Sequence, residues 1–197
     1  MAPRAKRRLG QHFLSDPRLL GRIADALEAG PSDTVLEIGP GPGGLTAALA
    51  RRAGRVVAIE KDADLLPGLR ARIPGATIVE GDALDLDWAG VVGGPFLLAG
   101  NIPYNITSPL LDKALSPPPP ARIVFLVQKE VADRVTAEPG ETDYNPLWEE
   151  MYVTWKSGVK PVLLVKDDQI KSLAKAKKVT LKDAHIVLNA PITKVGK

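Results

Sequence analysis

Residues 34–44 read T-V-L-E-I-G-P-G-P-G-G. The apolar run T-V-L-E-I (34–38) predicts a short buried strand. It runs directly into G-P-G-P-G-G (39–44), and Leu45 to Ala53 behind it is Ala- and Leu-rich, which predicts a helix. Glycines between a strand and a helix let the backbone turn sharply and approach a ligand closely. Gly39, Gly41 and Gly44 satisfy G-x-G-x-x-G, and Glu60 closes the next apolar run, R-V-V-A-I-E (55–60). A carboxylate at that second strand end can accept from both hydroxyls of a ribose. The ligand class is therefore nucleotide-like. The loop alone does not choose between NAD and S-adenosylmethionine.

Outward from this loop the pattern repeats. Ser15-Asp16-Pro17 supplies a cap and a first-turn proline, and Leu19, Leu20, Ile23, Ala26 and Leu27 recur behind them at helical spacing. Asp62 predicts a helix start, running through about Arg72. Further strands are expected at 76–80, 95–100 and 121–127, with helices at 106–115 and 128–136. Strands alternating with helices mean parallel βαβ units with helices on both faces. The fold class is α/β, with a doubly wound, mainly parallel sheet.

Bulk composition excludes several classes. The chain has 197 residues, 45% apolar and 25% charged, as in an ordinary globular protein. It has no cysteine, so neither a disulfide framework nor a thiolate metal site can form. Its two histidines, His12 and His185, stand far apart, and no metal site is expected. No segment has the length of a membrane span, and the start, M-A-P-R-A-K-R-R, lacks the apolar core of a secretory signal. A cytoplasmic, monomeric protein is the expectation. Net charge is +3, but Arg4, Lys6, Arg7 and Arg8 crowd the first eight residues as a basic arm suited to phosphates.

Three features favour S-adenosylmethionine. Glu37 lies inside the first strand, where it can face a methionine ammonium. Asp82, in Gly81-Asp82 after the third strand, can accept from an adenine amino group. The fourth strand ends in N-I-P-Y (101–104), which suits methylation of an amine and has no obvious place in hydride transfer. The exocyclic amine of adenine is a poor nucleophile because its lone pair is delocalised into the ring. Two acceptors aimed at its hydrogens favour a pyramidal nitrogen; the Asn101 side-chain oxygen and the Ile102 carbonyl are placed to do this. Pro103 restricts Ile102 and so directs that carbonyl. Tyr104 offers a face on which a base can stack. No metal or strong base is required, since positioning lowers much of the barrier.

These residues resemble the rRNA adenine N6,N6-dimethyltransferase family of the KsgA type, related to the Erm methyltransferases. The resemblance rests on L-G-Q-H-F-L (9–14), E-I-G-P-G-P-G-G-L-T (37–46), V-A-I-E-K-D (57–62), G-D-A-L (81–84), N-I-P-Y-N-I-T-S-P (101–109) and V-F-L-V-Q-K-E-V-A-D-R (124–134), in the family's order. It implies a Rossmann-like class I methyltransferase fold with S-adenosyl-L-methionine as cofactor. It implies a cofactor site lined by His12, Leu14, Gly39, Gly41, Glu60, Asp82 and Asn101, with Asn101, Pro103 and Tyr104 as the catalytic loop. Many members carry Asn in place of His12, and a histidine still hydrogen-bonds. The implied substrate is an adenosine pair in small-subunit rRNA, with Q-K-E (128–130) near the RNA face. An Erm-like preference for large-subunit rRNA is a close variant. An NAD-dependent oxidoreductase and a non-catalytic rRNA-binding assembly factor are the alternatives.

The resemblance ends near Gly140. Residues 1–140 hold 12 Arg and 4 Lys, whereas 141–197 hold 10 Lys and no Arg. Where the family continues with a Y-G-x-L-type stretch and a helical RNA-holding domain, this chain reads E-T-D-Y-N-P-L-W-E-E-M. The expectation is a catalytic domain over 1–140 and a Lys-rich segment over 141–197 that replaces the family's C-terminal part. Within that segment P-V-L-L-V (161–165) and H-I-V-L (185–188) predict strands, and 167–177 a helix.

Overall fold

A computed structural model describes residues 13–127 and 160–165. The helix expected at 128–136, the helix at 167–177, the strand at 185–188, the basic arm and His12 lie outside the described residues. The elements in order are α1 (Pro17–Ala26), β1 (Thr34–Ile38), α2 (Gly44–Ala50), β2 (Arg55–Glu60), α3 (Leu66–Arg72), β3 (Thr77–Glu80), α4 (Trp88–Val92), β4 (Leu97–Asn101), α5 (Thr107–Leu115), β5 (Arg122–Val127) and β6 (Lys160–Val165). One sheet runs β3-β2-β1-β4-β5-β6, and every neighbouring pair is parallel. The chain builds outward from β1 through β2 to β3, then returns to the other side of β1 as β4. The crevice at that reversal, outside the carboxyl ends of the strands, is where such sheets bind ligands.

Alternation along the strands explains the two cores, because successive side chains point to opposite faces. Leu36, Ile38, Val57, Ile59, Leu98 and Phe125 pack with Trp88, Leu110 and Leu111 on one face. Val35, Val56, Ala99, Val124 and Leu126 pack with Ile23, Leu27, Leu45 and Leu49 on the other. Both faces are covered, so the strands read as apolar runs rather than alternating ones. By the same period Glu37 falls on the face of Val35, beneath α1 and α2.

The strands at 34–38, 55–60 and 161–165 sit within a residue of where the sequence puts them, and the others within two. The helices deviate more. α2 ends at Ala50 rather than Ala53. The N–H groups of Arg52 and Ala53 both turn back onto the Leu49 carbonyl, at 2.9 Å each. Arg52 is held to Asp25 of α1 at 2.7 Å. Gly54 then passes so close to Pro31 that a Cβ would stand 2.0 Å from its carbonyl oxygen, so helix cannot continue. Asp62 does cap, accepting from the Asp64 N–H, but it opens a 3₁₀ turn (Ala63–Leu65), and α3 begins only at Leu66 with Pro67 in its first turn. α4 is unforeseen: at five residues, it is too short to show a period and is marked only by its Asp87 cap. Among the described residues no helix is long and apolar enough to cross a membrane.

Candidate functional site

The cleft lies at the carboxyl ends of β1, β2, β3 and β4. Gly39 and Gly41 take left-handed backbone angles, φ 67° and 55°, that let the turn after β1 fold over the strand ends. A Cβ on Gly41 would approach the Phe13 ring to 3.2 Å, so glycine here also lets the N-terminal segment close one side of the cleft. Leu14, next to Phe13, lines the same side.

Glu60 ends β2 and is buried. Its Oε2 accepts from the Gly41 N–H at 3.0 Å and its Oε1 from the Asp62 N–H at 2.8 Å. The carboxylate is thus fixed by the glycine loop itself, and each oxygen keeps lone-pair capacity for a further donor. Burial holds this carboxyl above the ordinary range, and the Asp62 and Gly41 N–H groups oppose that rise.

Glu37 is 1% exposed yet lines the cleft. Its Oε2 and the hydroxyl of Thr46, in the first turn of α2, complete no hydrogen bond. Burial pushes the Glu37 carboxyl up to about 8, with the Glu60 charge adding to the rise and the neighbouring Thr46 hydroxyl reducing it. A buried polar atom without a partner costs on the order of 1–3 kcal/mol. It marks a place where a cation would be welcome.

Asp82 follows Gly81 after β3. Its Oδ1 accepts from the Leu84 N–H at 2.9 Å, and its Oδ2 is paired with the Lys61 ammonium. Lys61, beside the carboxylate, holds Asp82 below the ordinary carboxylate range. Lys61 also lines the cleft and was not singled out in the sequence. The available signal was its place directly after Glu60 in V-A-I-E-K-D.

Asn101 is the last residue of β4, across the switch point from Glu60. The next N–H, of Ile102, donates to the Leu126 carbonyl at 2.9 Å, and the Ile102 side chain is buried. The Pro103 carbonyl accepts from the hydroxyl of buried Thr107 at 2.9 Å. Both flanks of Asn101 are anchored, and Asn101 and Pro103 line the cleft together with Asn105 and Ile106. Tyr104 opens the 3₁₀ turn (Tyr104–Ile106) that leads into α5. The structure therefore brings Leu14, Gly39, Gly41, Glu60, Asp82, Asn101 and Pro103 to one cleft. Ile59, Ala83 and Asn105 join it without having been foreseen.

A parallel sheet that reverses between β1 and β4, with a glycine turn after β1, a buried acid ending β2 and an amide ending β4, defines the class I methyltransferase fold. Residues 2–162 match the family model of the ribosomal RNA adenine dimethylases, and the chain belongs to that family. The chain is 47% identical over 148 residues to the ribosomal RNA small subunit methyltransferase A of Phenylobacterium zucineum (strain HLK1), a match over 73% of this chain and 52% of that protein. The fold is also similar to the crystal structure of a dimethyladenosine transferase from Plasmodium falciparum, with a TM-score of 0.62 and 33% identity over 71% of this chain and 51% of that one. The 23S rRNA methyltransferase ErmE is similar with a TM-score of 0.54 and 25% identity, over 84% and 52% of the two chains. The chain spans about half the length of the curated relatives it matches.

Proposed function

We propose that this chain transfers methyl groups from S-adenosyl-L-methionine to the N6 amine of adenosines in small-subunit rRNA, giving N6,N6-dimethyladenosine during ribosome biogenesis in the cytoplasm. One observation carries the reading: anchored Asn101 stands at the switch point beside a glycine loop braced on buried Glu60. The donor set fits the cofactor. Glu37 Oε2, buried and without a partner, suits a primary ammonium. Glu60 suits paired ribose hydroxyls, and Asp82 suits an adenine amine. The glycine turn leaves space that a Cβ would take. Leu14 lines the cleft, and His12 is the further residue assigned to the cofactor.

When bound, S-adenosylmethionine supplies an electrophilic methyl group on a sulfonium. The rest is the work of this chain's own residues. The Asn101 side-chain oxygen accepts a hydrogen bond from the target amine, which favours a pyramidal nitrogen with its lone pair toward the cleft. Pro103 fixes the direction of the Ile102 carbonyl, the second acceptor. Tyr104 stacks on the base. The base has to be unpaired or flipped to enter, at a cost of a few kcal/mol. Phosphate contacts fall to the basic N-terminal arm, with residues 1–140 as the catalytic domain and the Lys-rich 141–197 adding β6 at the edge of its sheet. The names of the relatives favour small-subunit over large-subunit rRNA. Buried Glu37 in β1 and the amide loop after β4 disfavour the oxidoreductase alternative, since hydride transfer uses neither.

Calorimetry tests the cofactor assignment. S-adenosylhomocysteine gives a 1:1 binding isotherm, NADH gives none, and Glu60→Ala weakens S-adenosylhomocysteine by about 10–100-fold, as expected for losing charged hydrogen bonds of roughly 1.5–3 kcal/mol. NADH binding in place of S-adenosylhomocysteine would reverse the choice.

A further inference from the structure

The wall of the cleft after β3 is held by a residue that touches neither ligand. Ala83 lines the cleft, and its carbonyl accepts from the indole N–H of Trp88 at 2.8 Å. The next carbonyls along, those of Leu84 and Leu86, both accept from the Lys113 ammonium, at 2.6 and 2.7 Å. The same ammonium lies 5.3 Å from the centre of the Trp88 ring. Two carbonyls converging on one point need a partner with several donors and no acceptor, which is what an ammonium provides. The aromatic face adds a further attraction. Lys113 sits on α5, whose first residue, Thr107, bonds the Pro103 carbonyl of the acceptor loop. One helix therefore holds the acceptor loop at its start and the wall beside Asp82 near its end.

We propose that Lys113 is a positioning residue that locks the adenine side of the cofactor cleft to the helix carrying the methyl-acceptor loop. This rests on the functional reading above. In that reading the distance between donor and acceptor depends on two loops, 82–87 and 101–106, that are far apart in sequence. Lys113 and Thr107 make them parts of one body. The charge of Lys113 also acts on Asp82, in the same direction as Lys61.

The test compares Lys113→Met, which keeps the aliphatic stem and loses the donors, with Lys113→Arg, which keeps the charge and donors. Ala114→Gly on the same helix, which removes a buried methyl group, is the control for general destabilisation. S-adenosylhomocysteine binding is followed by calorimetry, and amide hydrogen exchange is followed with and without it. In the wild type the ligand protects 82–87 and 101–107 together. In Lys113→Met protection at 82–87 is lost and affinity falls about tenfold, the equivalent of about 1.4 kcal/mol. Lys113→Arg recovers most of that affinity, and Ala114→Gly retains wild-type binding. Should Lys113→Met not fold, Lys113→Leu, which also lacks donors, carries the same comparison. Wild-type affinity and protection in the donor-less variant, or an equal loss in Ala114→Gly, would overturn the role of Lys113. Absence of S-adenosylhomocysteine binding to the wild type would instead sink the functional reading beneath it.

Discussion

Asn101→Ala lowers the rate of methyl transfer by about 10²–10³-fold, the size of effect seen when one preorganised polar group is removed from an active site. The loss falls on kcat more than on cofactor affinity. The reason is the acceptor, not the donor. An adenine amine attacks only when its lone pair is drawn out of conjugation, and an acceptor helps only if it is already in place. The backbone around Asn101 is fixed before any substrate arrives. β4 leads into it in register with β5, the Ile102 N–H is bonded to Leu126, and the Pro103 carbonyl is held by Thr107. A loop backbone held in this way need not reorganise when the substrate arrives, which favours a group carried on it in the transition state. Single-turnover transfer from labelled S-adenosylmethionine, with saturating cofactor, measures the effect. An Asn101→Ala variant that turns over at the wild-type rate, or that loses only cofactor affinity, would remove the loop from the chemistry.

The second large effect is a pH dependence set by Glu37. Burial raises this carboxyl from its ordinary 4.5 to about 8. At neutral pH, with no cation beside it, Glu37 is therefore largely protonated. A cationic ammonium binds the ionised form, so ligand affinity rises with pH towards 8, by up to about tenfold per unit. Glu37→Gln removes the slope and weakens S-adenosylhomocysteine at pH 8 by about 10–100-fold. Stability runs the other way. A folded-state value above the unfolded one gives stability that is complete below about 4.5 and is lost as pH climbs through about 8. Glu37→Gln has no such loss, so the ligand-free variant melts higher than the wild type at pH 8 than the comparison at pH 5 would predict. Calorimetric titrations at pH 6, 7 and 8, with thermal melts alongside, read both signs. A flat affinity profile in the wild type would show that Glu37 does not meet the ammonium.

Much of this site was legible in the sequence because strand ends announce themselves. Apolar runs buried on both faces leave little freedom of register, so Gly39, Glu60, Asp82 and Asn101 fall at strand ends by counting. Their convergence followed from the alternation of strands and helices, since parallel crossovers bring all carboxyl ends to one edge. What escaped was contact between loops. Lys61 meets Asp82 across 21 residues, and Lys113 meets the Leu84 carbonyl across 29. Neither lysine belongs to a motif with its own chemistry, and each looks like a surface charge until the topology is known. α4 was missed because five residues show no period, and α2 was overrun because Ala and Leu continue to favour helix where the packing of Gly54 against Pro31 forbids it. Glu37 was readable as an acid inside a strand; that it would be buried without a partner on Oε2 depended on α2 lying over it.

The most direct measurement is nucleoside mass spectrometry of small-subunit rRNA after incubation of undermethylated small-subunit particles with this chain and methyl-labelled S-adenosylmethionine. The predicted product is N6,N6-dimethyladenosine carrying both labels, absent when Asn101 is alanine. Label on a ring nitrogen or on ribose, or unlabelled rRNA from a preparation that binds S-adenosylhomocysteine tightly, would contradict transfer to the exocyclic amine.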